Sequence, residues 1–397
     1  MSPSPEVAVV IGTRPEAIKL APVVRAFEAG GRVRPFVVST GQHREMLDQA
    51  LDVFGLDPEV DLDLMRPNQS LAELTARTLE RTRELLRERR PAFVVVQGDT
   101  TTAFAAALAA FYERIPVAHV EAGLRSGDRE SPFPEEVNRR MIDSMAALHF
   151  PPTAQAAACL EREGVRPATI HMTGNTVVDA LLWGRERVRR EPVAIPGLPA
   201  SACSGKRLVL VTAHRRESFG EPMEAICRAL RRIARLVPDA IIAYPVHLNP
   251  AVDGPVRCRL ADEPRIHLLP PLDYLQFIAL LDRAHLVLTD SGGVQEEAPT
   301  FAKPLLVLRD VTERPEGVAA GVARLVGTRE DRIVSEAVRL LTEEAEYASM
   351  ASGVNPYGDG RAAERIARIV EEVTVCDAPR RSGAAKPASS RTARVRL

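Results

Sequence analysis

Short apolar runs, each closed by glycine, proline or a polar turn, alternate with longer helical patterns along nearly the whole chain. The runs "VAVVIG", "PFVVST", "AFVVVQG", "PVAHV", "LHFPP" and "TIHMTG" come first, and "RLVLVTAH", "AIIAYPVH", "IHLLPP", "HLVLTDS" and "LLVLRD" follow. Strands that are apolar throughout, rather than alternately, are buried on both faces, and their alternation with helices defines a parallel sheet covered on both sides. The rhythm occurs twice, interrupted by the helix-like "NTVVDALLWGRERVRR" and the Pro/Gly/Ser/Ala-rich "EPVAIPGLPASACSG". One sheet holding all these strands would be unusually wide. The pattern therefore predicts an α/β chain of two doubly wound, Rossmann-like parallel-sheet domains, residues 1–172 and 173–357, with the active site in the cleft between them. A helix at about 358–373 is expected to pack back on the first domain, and 374–397 reads as a disordered basic tail.

A chain of 397 residues has material for two cores, and 45% hydrophobic with 26% charged residues is a globular composition. A net charge of −1 gives no footing for nucleic-acid binding or for attachment to an anionic membrane surface. No apolar run reaches the roughly 18–20 residues of a membrane span, and the N-terminus lacks a secretory pattern. Cys159, Cys203, Cys227, Cys258 and Cys376 are scattered and odd in number. That spacing suits free thiols in a reducing compartment, so a cytoplasmic protein is expected. No His/Asp/Glu cluster has metal-ligand spacing, and neither GxGxxG nor GxxxxGK[ST] follows a strand; neither metal nor cofactor is expected.

In open α/β sheets ligands bind beyond the carboxyl ends of the strands, and the polar residues of this chain gather there. "VVIG" leads into Thr13-Arg14-Pro15-Glu16, with Lys19 one turn later; "VVVQG" leads into Asp99; "PVAHV" leads into Glu121. "LVLVTA" ends in His214-Arg215, "AIIAYPV" in His247, and "LVLTD" in Ser291-Gly292-Gly293 with Glu296 and Glu297 behind. Singly these have plain readings, since Asp99 would serve as a helix cap and His214 as a buried core histidine. Together they place cations and glycine amides suited to a diphosphate beside carboxylates suited to proton transfer or sugar hydroxyls.

The stretches "GTRPEAIKLAP", "GQHREMLDQAL", "QGDTTTAFAAALAAFYERIPVAHVEAGLRSGD", "SPFPEEVNRR", "TGNTVVDALLW", "TAHRRESFG", "YPVHLNP", "TDSGGVQEEAP", "RDVTERPEGV" and "NPYGDG" occur in this order over residues 6–373. They resemble the non-hydrolysing UDP-N-acetylglucosamine 2-epimerases. The resemblance implies a GT-B-like fold, a homodimer, and reversible conversion of UDP-GlcNAc to UDP-ManNAc for cell-surface polysaccharides. The reaction it implies is elimination of UDP to a 2-acetamidoglucal and re-addition. By the same resemblance Asp99, Glu121, Glu135 and His214 are catalytic. Arg14, Lys19, Leu272, Phe277, Ser291, Gly292, Gly293, Glu297 and Arg314, together with Asp99, Glu121 and His214, contact the nucleotide sugar. Gln42, Gln69, Arg215 and His247 match a site where some members hold a second UDP-GlcNAc as activator. The chain departs from the pattern at Asn68, where an arginine would stand, and at Leu272, which replaces a polar residue near the base.

Three other readings are compatible with such a chain: a hydrolysing epimerase releasing ManNAc and UDP, a GT-B glycosyltransferase, and a catalytically silent UDP-sugar-binding regulator. The intact "GTRPEAIK" and "HRRESFG" favour the reversible branch, and the presence of all three acids disfavours the silent one.

Overall fold

The computed structural model of the chain describes residues 4–41, 44–66 and 68–382. Two six-stranded sheets organise it. The first holds β1 (Glu6–Ile11), β2 (Arg34–Ser39), β3 (Val60–Asp61), β4 (Phe93–Gln97), β5 (Val117–Val120) and β6 (Leu148–Phe150) in the order β3-β2-β1-β4-β5-β6. The second holds β7 (Arg207–Thr212), β8 (Ala240–Pro245), β9 (Ile266–Leu269), β10 (Leu286–Thr289), β11 (Leu305–Val307) and β12 (Ala323–Leu325) in the order β12-β11-β10-β7-β8-β9. All pairings are parallel. The fold class expected from the strand rhythm is therefore the one observed.

Helices α1 (Arg14–Gly30), α2 (Arg44–Phe54), α3 (Leu71–Arg89), α4 (Thr101–Tyr112), α5 (Glu135–Met145) and α6 (Ala154–Arg162) accompany the first sheet. Then α7 (Thr176–Arg190) leads to the second, with α8 (Glu221–Leu236), α9 (Pro250–Leu260), α10 (Tyr274–Arg283), α11 (Gly292–Glu297), α12 (Pro315–Ala319), α13 (Glu330–Thr342) and α14 (Glu344–Ala351). The described residues end in α15 (Ala362–Ser382), which lies against α1 and α7. Asp179 on α7 accepts from the backbone amides of Ala362 (3.3 Å) and Ala363 (2.9 Å), so a side chain from another helix caps α15. No described helix is long and apolar enough to cross a membrane.

In each sheet the order reverses at one place, between β1 and β4 and between β7 and β10. Loops leaving adjacent strands there diverge to opposite faces and open a crevice. Gly12–Thr13–Arg14 and Gly98–Asp99 leave the first such point; Ala213–His214–Arg215 and Asp290–Ser291–Gly292 leave the second. Gly12 has no room for a side chain, because a Cβ would stand 2.4 Å from the Thr40 hydroxyl and 2.6 Å from that of Thr102. A capping box starts α1: the Glu16 carboxylate receives the amides of Gly12 (2.6 Å) and Thr13 (2.8 Å) and the Thr100 hydroxyl (2.6 Å). Burial nonetheless outweighs these bonds and raises the Glu16 pKa.

Some elements differ from the sequence reading. "TIHMTG" forms no strand; it gives a single bridge between His149 and Ile170 after a short turn of helix at Pro167–Thr169. The edge strands β3 and β12 are too short to register as apolar runs. The last helix does not stop at 373 but continues to Ser382, with Thr374 still buried; the rest of the expected tail lies outside the described residues.

Candidate active site

Glu121 follows β5 directly and has φ 66°, a left-handed backbone that costs an L-residue about 1–3 kcal/mol and clusters at functional sites. Its carboxylate accepts from Lys19 Nζ at 2.5 Å and Gln97 Nε2 at 2.8 Å. Lys19 comes from α1, and its Nζ also lies 4.0 Å from Glu296 Oε2 on α11. Glu296, in turn, pairs with Arg314 and accepts from Asn175 Nδ2 at 3.1 Å. A chain of alternating charge, Glu121–Lys19–Glu296–Arg314, thus joins the two sheets across the cleft. Burial acts to lower the Lys19 pKa, but the charges of Glu121 and Glu296 outweigh burial and raise it. Burial likewise pushes Glu296 up, and Arg314 and Lys19 pull it below its ordinary value.

Asp99 stands at the turn between β4 and α4. The helix cap is not Asp99 but Thr100, whose hydroxyl receives the Ala103 amide at 3.0 Å. The Asp99 carboxylate is left to face the cleft wall, where it pairs with Arg139 of α5, with one contact at 3.1 Å from Nε.

The opening of α5 separates two neighbouring glutamates. Glu136 is fully buried; it accepts the Ser126 amide at 2.9 Å and pairs with Arg139 (3.2 Å) and Arg140 (3.1 Å). It holds the preceding loop, in which the bonds before Pro132 and Pro134 are cis. Glu135 is half-buried and has no hydrogen bond or ion pair among the described residues.

The second sheet contributes a compact anion-facing corner. Asp290, fully buried, gathers the amides of His214 and Arg215 (both 2.9 Å) and the Ser218 hydroxyl (3.0 Å) on one oxygen. Its other oxygen is 3.9 Å from His214 Nδ1. His247 stacks on His214 with ring centroids 5.3 Å apart. Burial lowers the His214 pKa, against the pull of Asp290 and with help from His247 and Arg215. The Arg215 guanidinium reaches over the Ser291–Gly293 turn, 3.3 Å from where a Gly292 Cβ would be. The Ser291 hydroxyl makes no capping bond. Glu297 follows, its pKa raised to about 7 by burial and by Glu296, with Lys19 and Arg14 opposing.

The structure thus groups Lys19 with Glu121, Lys19 and Arg314 around Glu296, and His214, Arg215 and His247 with the Ser291–Gly293 turn. Phe277 and Leu272 are half-buried and packed against the main core cluster. Gln69 bonds to Met65 Sδ (3.1 Å) and Arg77 (3.4 Å), both from its own segment; Gln42 lies outside the described residues. Sequence reasoning did not single out Gln97, Arg139, Asp290 or Asn175, and it gave Glu296 no role. Only Asp290 carried a usable sign, as a charged residue ending an apolar strand. Among the described residues no group of three or more His, Cys, Asp or Glu is placed to hold a metal ion.

Two parallel-sheet domains that each bring cations and carboxylates to the cleft between them place the chain in the class of GT-B-like nucleotide-sugar enzymes. Comparison with known proteins fixes the family. The UDP-N-acetylglucosamine 2-epimerase family model matches residues 25–371. The UDP-N-acetylglucosamine 2-epimerase of Escherichia coli K12 is 51% identical over 364 residues, 91% of this chain and 97% of that protein. That of Bacillus subtilis is 48% identical over 368 residues, 93% and 94% of the two chains. Among solved structures, the Neisseria meningitidis UDP-GlcNAc 2-epimerase bound to UDP-GlcNAc superposes with a TM-score of 0.83 at 42% identity, covering 92% of this chain and all of that one (100%). A Listeria monocytogenes homologue gives a TM-score of 0.87 at 46% identity, covering 93% and 96%. The chain belongs to the UDP-N-acetylglucosamine 2-epimerase family, and is accordingly an isomerase.

Proposed function

We propose that the chain interconverts UDP-GlcNAc and UDP-ManNAc without a cofactor, by elimination and re-addition of UDP. In the forward direction a carboxylate removes the C2 proton, the C2–H electrons form the C1=C2 bond, and the C1–O bond breaks to release UDP. The 2-acetamidoglucal then takes a proton at C2 on its other face while the UDP oxygen closes on C1. Two proton-carrying groups are therefore needed. The observation that carries this reading is the unequal environment of the three acids. Glu121 is tied to Lys19 and Gln97, which suits a fixed negative charge beside the anomeric carbon. Asp99 has Arg139 as counter-ion, which suits a base; Glu135, with no partner among the described residues, suits the acid. The roles exchange in reverse. Lys19, Arg14, Arg314, His214 and the Ser291–Gly293 turn receive the diphosphate, Glu297 the ribose, and Phe277 and Leu272 the base. The cations Lys19, Arg14 and Arg314, with the donors of His214 and the turn, stabilise UDP as it leaves, and a closed cleft keeps water from the glycal.

Some features extend the proposal. Exposed Phe111 and Tyr112 at the end of α4 are suited to a homodimer contact. The cysteines are all unpaired, which suits the cytoplasm, where sugar nucleotides for surface polysaccharides are made. Arg215 and His247 adjoin the diphosphate corner, so a second UDP-GlcNAc acting as activator would lie beside the first.

A proton NMR time course with UDP-GlcNAc in D2O tests the reaction. UDP-ManNAc deuterated at C2, with label also entering recovered UDP-GlcNAc, is expected. Free ManNAc with stoichiometric UDP would assign the chain to hydrolysis instead.

A further inference from the structure

The turn bearing Asp99 rests on a buried histidine that the proposed reaction does not use. His119 lies within β5 and is fully shielded from solvent. Its Nε2 is 2.8 Å from the carbonyl oxygen of Gly98, the residue before Asp99, and its Nδ1 is 2.6 Å from Asp143 Oδ1. Carbonyl and carboxylate oxygens only accept. The Gly98 carbonyl has no proton to give, so the 2.8 Å contact places an N–H on Nε2, and the ring donates there.

The surroundings are built for such a ring. Asp143 is buried and also receives Arg125 (2.7 Å) and the Gly123 amide (3.3 Å). Arg125 continues to Glu163 at 2.6 Å. Burial raises the Asp143 pKa, but His119 and Arg125 more than reverse it and hold it below its ordinary value. His149, paired with His119 across β5 and β6, meets the Asp143 backbone carbonyl (2.8 Å), and burial lowers its pKa. On the other side Asn138 Nδ2 donates to the Asp99 carbonyl at 2.9 Å. Both peptide oxygens flanking the Asp99 Cα are thus gripped, at a turn where Gly98 has φ 70°.

We infer that His119 is a positioning residue for Asp99: anchored by Asp143, it donates to the Gly98 carbonyl and fixes the turn that presents the Asp99 carboxylate. The inference rests on the proposed role of Asp99 in proton transfer. A displacement of the order of 1 Å in a reacting group costs about 10²-fold in rate, so loss of the grip should appear in kcat rather than in substrate binding.

Two measurements on the full chain test it. In ¹⁵N-histidine-labelled protein, with His119 assigned by difference from His119→Gln, two-bond ¹H–¹⁵N spectra should show the His119 ring protonated at Nε2. A bare Nε2 would overturn the inference. Kinetically, His119→Leu should lose about 10–100-fold in kcat with KM for UDP-GlcNAc within about twofold, and His119→Gln, which keeps one donor, should recover part. If the leucine variant does not fold, His119→Gln and Asp143→Asn carry the test, both with lowered kcat and KM within about twofold. Unchanged kcat in these variants while Asp99→Asn is inactive would overturn the positioning role alone. Full activity of Asp99→Asn would overturn the catalytic assignment and this inference with it.

Discussion

Glu135 and Glu136 are adjacent in sequence, yet their surroundings demand opposite responses to the same change. Glu136→Ala removes a buried carboxylate that satisfies Arg139, Arg140 and the Ser126 amide. Leaving such partners unmatched costs about 3 kcal/mol, so urea unfolding should show a clear loss of stability. Glu135→Gln should leave the unfolding midpoint unchanged and lower kcat by about 10²-fold or more. Asp99→Asn should likewise fold normally and lose about 10²–10⁴-fold in kcat; near-normal turnover would remove it from the mechanism. Asp99 and Glu121 stand out in the sequence as charged residues just beyond apolar strands, whereas Glu135 is reached only through the family resemblance. The residues that hold them are not legible. His119 reads as one polar residue in a buried strand, and its partner Asp143 lies 24 positions later with no periodicity to connect them. The roles of Arg139 and Asn138 depend on where α5 lies against the β4 turn, which is a tertiary fact.

At the level of elements, long apolar strands, the amphipathic helices α3 and α8 and the alanine-rich buried α4 are set by local pattern and were legible. The two-residue β3 and three-residue β12 are strands only because a neighbour offers backbone partners at a sheet edge. The same dependence on tertiary context appears in the cross-helix cap of α15. Burial, more than Asp359, raises the Asp179 pKa to about 6 from 3.8, although the amides of Ala363 and Ala362 pull it down. A folded pKa above the unfolded one means that protonation favours the fold. The contribution is complete below about pH 3.8 and is lost as pH rises through about 6. A shift of about two units corresponds to roughly 2–3 kcal/mol at most. The unfolding free energy of Asp179→Asn minus that of the wild type should therefore rise between pH 4 and pH 7 and be flat above it. A difference independent of pH would show that the cap is equally at ease as an anion.

Across the whole molecule, Lys19 and Arg314, proposed to receive a diphosphate, already have carboxylate partners from opposite sheets in Glu121 and Glu296. Each of these pairs lies within one half; Lys19 also reaches Glu296 across the cleft at 4.0 Å, and together they keep the cations ordered before substrate arrives. They also set competing demands, since a diphosphate must compensate the same charges. Glu296→Gln separates the two effects. Without ligand it leaves Arg314 and Lys19 near a neutral amide in a buried site, so the protein should be less stable, with a Tm lower by several degrees. With UDP, the diphosphate supplies the missing negative charge. Any ligand that binds only the folded chain stabilises it by RT ln(1 + [L]/Kd), so tighter binding is read directly as a larger shift. The UDP-induced rise in Tm should thus be greater for Glu296→Gln than for the wild type at the same concentration. A smaller rise would mean that Glu296 orients Arg314 for the nucleotide rather than competing with it, and that the charge chain across the cleft prepares the site instead of guarding it.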